Sequence, residues 1–140
     1  MKTIKFQKLH AFVIFQNLKR TAPKDFADID EMTATVDQIL PALEKSSDKF
    51  MEFRKLGEDY GNQRGTGKLT EEEWREKVGE LQKQVRSYEL SEGLEEVSVE
   101  LETAAYSKLM AQFEKWGKNW FMDLEDFMKV RKAISNPEGN

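Results

Sequence analysis

The sequence predicts a mainly α-helical protein. It reads as a long helical hairpin, an N-terminal helix and a C-terminal helical hairpin, with a short two-stranded β-ribbon pairing residues 1–6 with 96–102. Three observations carry this reading. Apolar residues recur at three- and four-residue steps through 28–56 and 70–89, as on a helix with one buried face. Glu96–Glu102 alternates strictly between polar and apolar residues, as a half-buried strand does. Asp28 and Thr70 each stand three residues before a glutamate, the pattern of a capping box at a helix N-terminus.

Taken in chain order, Met1–Phe6 sets Ile4 and Phe6 against Lys5, which suits a strand or the lead-in to a helix. Residues 7–19 read as a helix. Leu9, Phe12, Val13 and Leu18 keep near-helical spacing, and Ile14 and Phe15 widen the apolar face, as in a central helix. Residues 20–27 hold Pro23 and no period, and read as a loop. Ile29, Met32, Val36, Ile39, Leu43, Phe50 and Phe53 then line one long helix over 28–56. Pro41 lies inside it and predicts a kink near Ile39–Leu40, because proline lacks the backbone donor and crowds the preceding turn.

Gly57–Lys68 has four glycines in twelve residues and reads as a loop. Thr70 opens a helix over 70–89 whose seam, Trp74, Val78, Leu81, Val85 and Tyr88, matches the long helix as a hairpin partner. The strand at 96–102 needs a partner for its backbone groups, and Met1–Phe6 is the candidate. Lys2 and Lys5 on one side against Glu96, Glu100 and Glu102 on the other agree with that pairing. Thr103 reads as the cap of a helix over 104–116, with Ala105, Leu109, Phe113 and Trp116 on one face and Gly117 just past its end. A last helix over 119–134 carries Trp120, Leu124, Phe127 or Met128, and Ile134. Residues 1–134 thus read as one helical domain and 135–140 as a flexible tail.

Composition excludes several chemistries. The 140 residues include no cysteine and one histidine, His10. Disulfides, iron–sulfur clusters, thiol catalysis, cysteine-ligated zinc and multi-histidine metal sites are therefore not expected. No nucleophile elbow marks a serine. Gly61–Thr70 (GNQRGTGKLT) fails as a phosphate loop: position 62 is Asn where Gly is needed, and Leu69 follows Lys68 where a hydroxyl should bind magnesium. Glu71, Glu72 and Glu73 sit at a helix start and Glu95, Glu96, Glu100 and Glu102 in or beside the strand, where capping and solvation account for them. The expectation is a protein that is not an enzyme and carries no cofactor or metal.

Charge is uneven. Lys2, Lys5, Lys8, Lys19, Arg20 and Lys24 fall in residues 1–24 with no acid among them, so the net charge of −4 hides an acidic remainder. The basic end is expected to fold back on the acidic body, with a nucleic-acid-binding arm as the alternative. The longest early apolar run, Ala11–Phe15, is too short for a signal peptide, and no stretch suits a membrane span. A cytoplasmic location without membrane contact is expected.

Phe113, Trp116, Trp120, Phe121 and Phe127 lie within fifteen residues. Adjacent Trp120 and Phe121 would diverge by about 100° on a helix, so one is expected to face outward. Exposed Trp and Phe mark partner surfaces. Lys115, Trp116, Lys118, Trp120 and Phe121 are thus the candidate partner-binding residues. Tyr60, Arg64 and Lys68 in the glycine-rich segment are the second candidate set. Lysines among aromatics also suit stacked single-stranded nucleic acid. The acidic C-terminal portion ranks a protein partner well above nucleic acid, with a monomer slightly favoured over an oligomer.

The opening MKTIKF with the apolar helix after it, the long charged helices, the Glu-rich alternating segment EEVSVELE and the closing helical hairpin are together similar to a family of small bacteriophage-encoded helical proteins of unknown function. The resemblance spans most of the chain in pattern and composition and brings no catalytic residues with it. It implies one of two non-catalytic roles. One is a regulator or inhibitor of a host protein complex such as RNA polymerase. The other is a virion or tail assembly factor or chaperone.

Overall fold

The protein is mainly α-helical with one short antiparallel ribbon in the computed structural model, which describes residues 1–139. In chain order the elements are β1 (Lys2–Gln7), α1 (Lys8–Arg20), a 3₁₀ turn (Pro23–Asp25), α2 (Ile29–Ala34), a π turn (Thr35–Ile39), α3 (Leu40–Lys45), α4 (Asp48–Gly65), α5 (Glu71–Glu89), a 3₁₀ turn (Glu92–Leu94), β2 (Glu96–Leu101), α6 (Thr103–Trp120) and α7 (Leu124–Ser135). Where the sequence suggests one domain to residue 134, the chain divides into two compact units. One comprises Met1–Ser47 with the chain from Glu96 onward, and the other is Asp48–Glu95.

The ribbon organises the first unit. β1 and β2 run antiparallel with Ile4 opposite Val99 and Phe6 opposite Val97. Ile4, Phe6, Val99 and Leu101 are buried, so the inward residues of both strands are the apolar half of the alternation. The outward lysine does what the charge pattern requires. Lys5 Nζ stands 4.0 Å from Glu96 and 3.0 Å from Glu138. These two carboxylates, Glu138 foremost by hydrogen bond, raise the Lys5 pKa above its ordinary value. Glu138 also exchanges two 2.7 Å backbone bonds with Thr3, so the expected tail contributes a short bridge to the outer edge of β1.

α1 supplies Ala11, Ile14, Phe15 and Leu18 to the same core, as its broad apolar face requires. Ile39, Leu43, Ala105, Leu109, Phe113, Val130 and Ile134 complete it. The Tyr106 hydroxyl donates to the Ile134 carbonyl at 2.5 Å and fastens α6 to the last turn of α7, and burial raises the Tyr106 pKa. Asp28 caps α2 as expected, accepting from the Glu31 amide at 2.7 Å.

The expected helix over 28–56 is not continuous. Pro41 has no N–H to give to Asp37, and the preceding turn widens into the π turn at Thr35–Ile39, where the kink was expected. The helix then stops at Lys45. The Ser46 and Ser47 hydroxyls fold back onto the carbonyls of Ala42 and Leu43, and the chain restarts as α4 at Asp48.

The second unit is the helical hairpin α4–α5, so the long arm pairing with 70–89 is 48–65 rather than 28–56. The expected loop over 57–68 is also corrected: α4 runs through Gly57 and Gly61 to Gly65. A glycine in a helix interior costs only about 1 kcal/mol, and no proline stops this one. Backbone freedom is needed only at Gly67, whose φ is +81°. The amides of Lys68 and Leu69 both close on the Gln63 carbonyl. Thr70 then forms the full capping box. Its hydroxyl accepts from the Glu73 amide and its own amide donates to the Glu73 carboxylate, both at 3.1 Å. That backbone hydrogen bond is the first cause of a lowered Glu73 pKa. The seam closes as rings and stems in register: Phe50 and Phe53 on Tyr88, and Arg64 on Trp74 at 3.9 Å.

Two helix boundaries differ near the C-terminus. Glu102 rather than Thr103 precedes α6, and α6 continues through Gly117 to Trp120, so Gly117 is no terminator. The absence of a Cβ lets the Phe113 ring lie over it: a Cβ there would come within 2.7 Å of two ring carbons. α7 begins at Leu124, where the Asp123 carboxylate accepts from the Glu125 amide at 2.7 Å.

Candidate partner-binding surface

The five residues proposed from the aromatic cluster do not form one exposed patch. Trp120 and Phe121 are both buried, at 8% and 9% exposure, so neither faces out. The 100° argument fails at this point because α6 ends at Trp120 and Phe121 is already extended, at φ −122° and ψ 126°. Trp120 packs its edge on Phe113, and Phe121 meets the buried His10 ring at 5.7 Å. His10 in turn lies 3.0 Å from the Asp126 carboxylate, which ties α1 to the first turn of α7. Trp116 is half-buried under Phe26. Lys115 covers the Trp116 ring at 4.6 Å and donates to the Asp25 carbonyl at 3.0 Å. Of the set, Lys118 alone is exposed and, among the described residues, makes no hydrogen bond or ion pair.

The second candidate set is spread over the α4–α5 hairpin. Tyr60 and Arg64 lie on α4 rather than in a loop, with Lys77 over the Tyr60 ring at 5.4 Å and Arg64 between Trp74 and Glu71. Only Lys68 lies in the connector. All three belong to the hairpin's own packing or its turn.

The structure gathers a different surface around α6 and α7. A cavity of about 410 Å³ opens between them, within the size range of ligand sites. Met110, Phe113, Phe127 and Ile134 line it as an apolar floor, where Phe113 and Phe127 stack at 5.3 Å and 14°. Lys118 from α6 and Arg131 from α7 stand on its wall beside Glu114. Among the described residues, neither Lys118 nor Arg131 forms an ion pair.

The same helical hairpin exposes large apolar side chains. Met122 at the turn is wholly exposed, and Leu124 and Met128 follow on the outer face of α7 at 75% and 48%. Their neighbours Arg131 and Lys132 are exposed, and Lys129 makes only an exposed pair with Glu125. Sequence reasoning missed Met122, Leu124 and Met128 because it began the last helix at 119. With the helix starting at Leu124 and its buried face set by Val130 and Ile134, positions 124 and 128 fall outward. The Asp123–Glu125 cap was the signal that could have placed them.

Among the described residues no group of three or more His, Asp or Glu side chains is placed to hold a metal ion, and no helix is long and apolar enough to cross a membrane. No protein-family model, curated protein or solved structure matches this chain.

Proposed function

We propose that this protein works by binding another protein rather than by catalysis, as a regulator or inhibitor of a host complex in the manner its phage-like pattern suggests. One observation carries the reading: α6 and α7 enclose a groove floored by Phe113 and Phe127 and walled by Lys118 and Arg131, neither ion-paired among the described residues, and the same hairpin exposes Met122, Leu124 and Met128. Methionine side chains adapt to varied apolar partners, and contiguous exposed apolar surface is costly unless something covers it. The two cations favour an acidic partner segment bearing apolar anchors, since complementary charge steers encounter and register.

The test is capture from a bacterial lysate with the full chain as bait, in parallel with a Lys118→Glu/Arg131→Glu variant. A protein retained by the natural chain and lost with the charge-reversed one supports the reading. Equal retention by both removes this surface from it.

A further inference from the structure

α5 has a second face that its own hairpin leaves uncovered. Its seam toward α4 is Trp74, Leu81 and Tyr88, with Val78 and Val85 at the margin. About a quarter-turn around the helix, at roughly 100° per residue, lies a second stripe: Arg75, Val78, Gln82, Arg86 and Glu89. Between seam and stripe runs a groove of about 470 Å³ lined mainly by apolar groups of Trp74, Val78, Leu81 and Val85, with the Gly57 backbone of α4 opposite. Val78 and Val85 are only half-buried there, and Leu90 at the helix end is 62% exposed.

We infer that this face is covered by the same face of a second copy of the chain, with the two α5 helices antiparallel about Gln82. The order of residues along the stripe carries the inference. Gln82 sits at the two-fold axis. Seven residues before it is Arg75 and seven after it is Glu89, so each copy's Arg75 meets Glu89 of the second copy. Every contact occurs twice and the pairing closes on itself, as an isologous dimer requires. A parallel pairing in register would set Arg75 on Arg75 and Glu89 on Glu89, which like-charge repulsion opposes.

Nothing within the hairpin competes strongly for these charges. Arg75 reaches Glu71 at 3.5 Å and Glu89 reaches Arg86 at 3.9 Å, both pairs along the helix surface, the Arg75–Glu71 pair well exposed. Such pairs contribute only about 0.3–0.5 kcal/mol. A contact along one helix of about 28 Å is smaller than a standard interface, so the dimer is weak and reversible. This inference is independent of the α6–α7 surface and uses no partner protein.

Sedimentation equilibrium of the full chain, from roughly 10 to roughly 500 μM, reads the association. The weight-average mass should rise from 16.3 kDa toward twice that value. Arg75→Glu and Glu89→Arg should each weaken dimerisation by about tenfold or more, and the double reversal should bring it back. A covalent readout stands beside it. The chain has no cysteine, so Gln82→Cys, placed on the axis, should oxidise to a disulfide-linked dimer, whereas Lys83→Cys, turned about 100° away, should not. A chain that stays monomeric throughout, a double reversal that fails to restore association, or equal crosslinking at the two cysteine positions overturns the inference.

Discussion

Gln112 donates through Nε2 to the Thr35 hydroxyl oxygen at 2.6 Å, joining the middle of α6 to the π turn before Pro41. The Thr35 hydroxyl spends its one proton on the Glu31 carbonyl at 2.8 Å, so toward Gln112 it can only accept. The amide orientation of Gln112 is thereby determined, and its Oε1 is left buried with no protein donor.

That orphaned oxygen makes Gln112 a residue of packing more than of polar stabilisation. Gln112→Met keeps the volume and removes the unsatisfied acceptor. It should leave the free energy of unfolding within about 1 kcal/mol of the natural protein, or raise it. Gln112→Ala leaves a cavity and should cost about 2 kcal/mol or more. Urea unfolding of both variants checks this. A methionine variant that falls as far as the alanine one would show that the bond to Thr35 matters more than the shape.

Two glycines inside helices should respond with opposite sign to the same change. At Gly61 on α4 an added Cβ meets nothing within 4 Å, so Gly61→Ala should stabilise by up to about 1 kcal/mol through helix propensity. At Gly117 the Cβ would land 2.7 Å from the Phe113 ring, which is held by the stacked Phe127 and by Trp120. Gly117→Ala should cost about 1–3 kcal/mol despite the better propensity. Thermal melts decide it, and a destabilising Gly61→Ala would contradict the helical path of α4.

These glycines also show where sequence reading reached its limit. Strict alternation in EVSVEL, with lysines on the facing strand, specified the ribbon, because a one-residue slip would turn every apolar side chain outward. Asp28 and Thr70 announced their helix starts because a side-chain oxygen three residues from an amide is a local device. Gly57, Gly61 and Gly117 look like breakers locally, and α4 and α6 run through all three. At Gly117 that choice is visible only once the Phe113 ring is placed. The candidate surface was misplaced for the same reason. Trp120 and Phe121 are large and adjacent, but the chain leaves the helix between them, and both turn inward.

The exchange of roles between Trp120 and Met122 is measurable. Trp120→Ala should cost about 3–5 kcal/mol, as a buried aromatic does. Met122→Ser should change stability by less than about 0.5 kcal/mol, as an exposed position does, while reducing retention of the captured protein. Denaturant midpoints and capture yields on the same two variants separate core from contact. A stable Trp120→Ala chain would return that residue to the surface.

The capping box at Thr70 predicts an acid-side dependence. The Glu73 pKa is lowered in the folded chain from 4.5 by the Thr70 backbone hydrogen bond. Its stabilisation is therefore fully present above pH 4.5 and is lost as pH falls through the lower folded value. Glu73→Gln retains an acceptor for the Thr70 amide but cannot titrate. The thermal midpoint of this variant should decline less than that of the natural chain as pH drops below 4.5. Parallel declines would mean that the box does not contribute in solution.

The bridge from Glu138 to Thr3 gives the ribbon a third, very short neighbour whose effect can be isolated at one amide. The Thr3 amide donates to the Glu138 carbonyl, away from β2. Since amides alternate in direction along an antiparallel strand, those of Ile4 and Phe6 point to β2 instead. Removing the chain after Ser135 should therefore speed hydrogen exchange at Thr3 and leave Ile4 and Phe6 protected. Lys5 adds a pH signature. Its pKa is raised by Glu138 from 10.5, so the pair's contribution is complete below pH 10.5 and is lost as pH rises through the higher folded value. The difference in thermal midpoint between full and shortened chains should narrow as pH rises above 10.5. Equal Thr3 protection with and without the last residues would show that the bridge does not persist in solution.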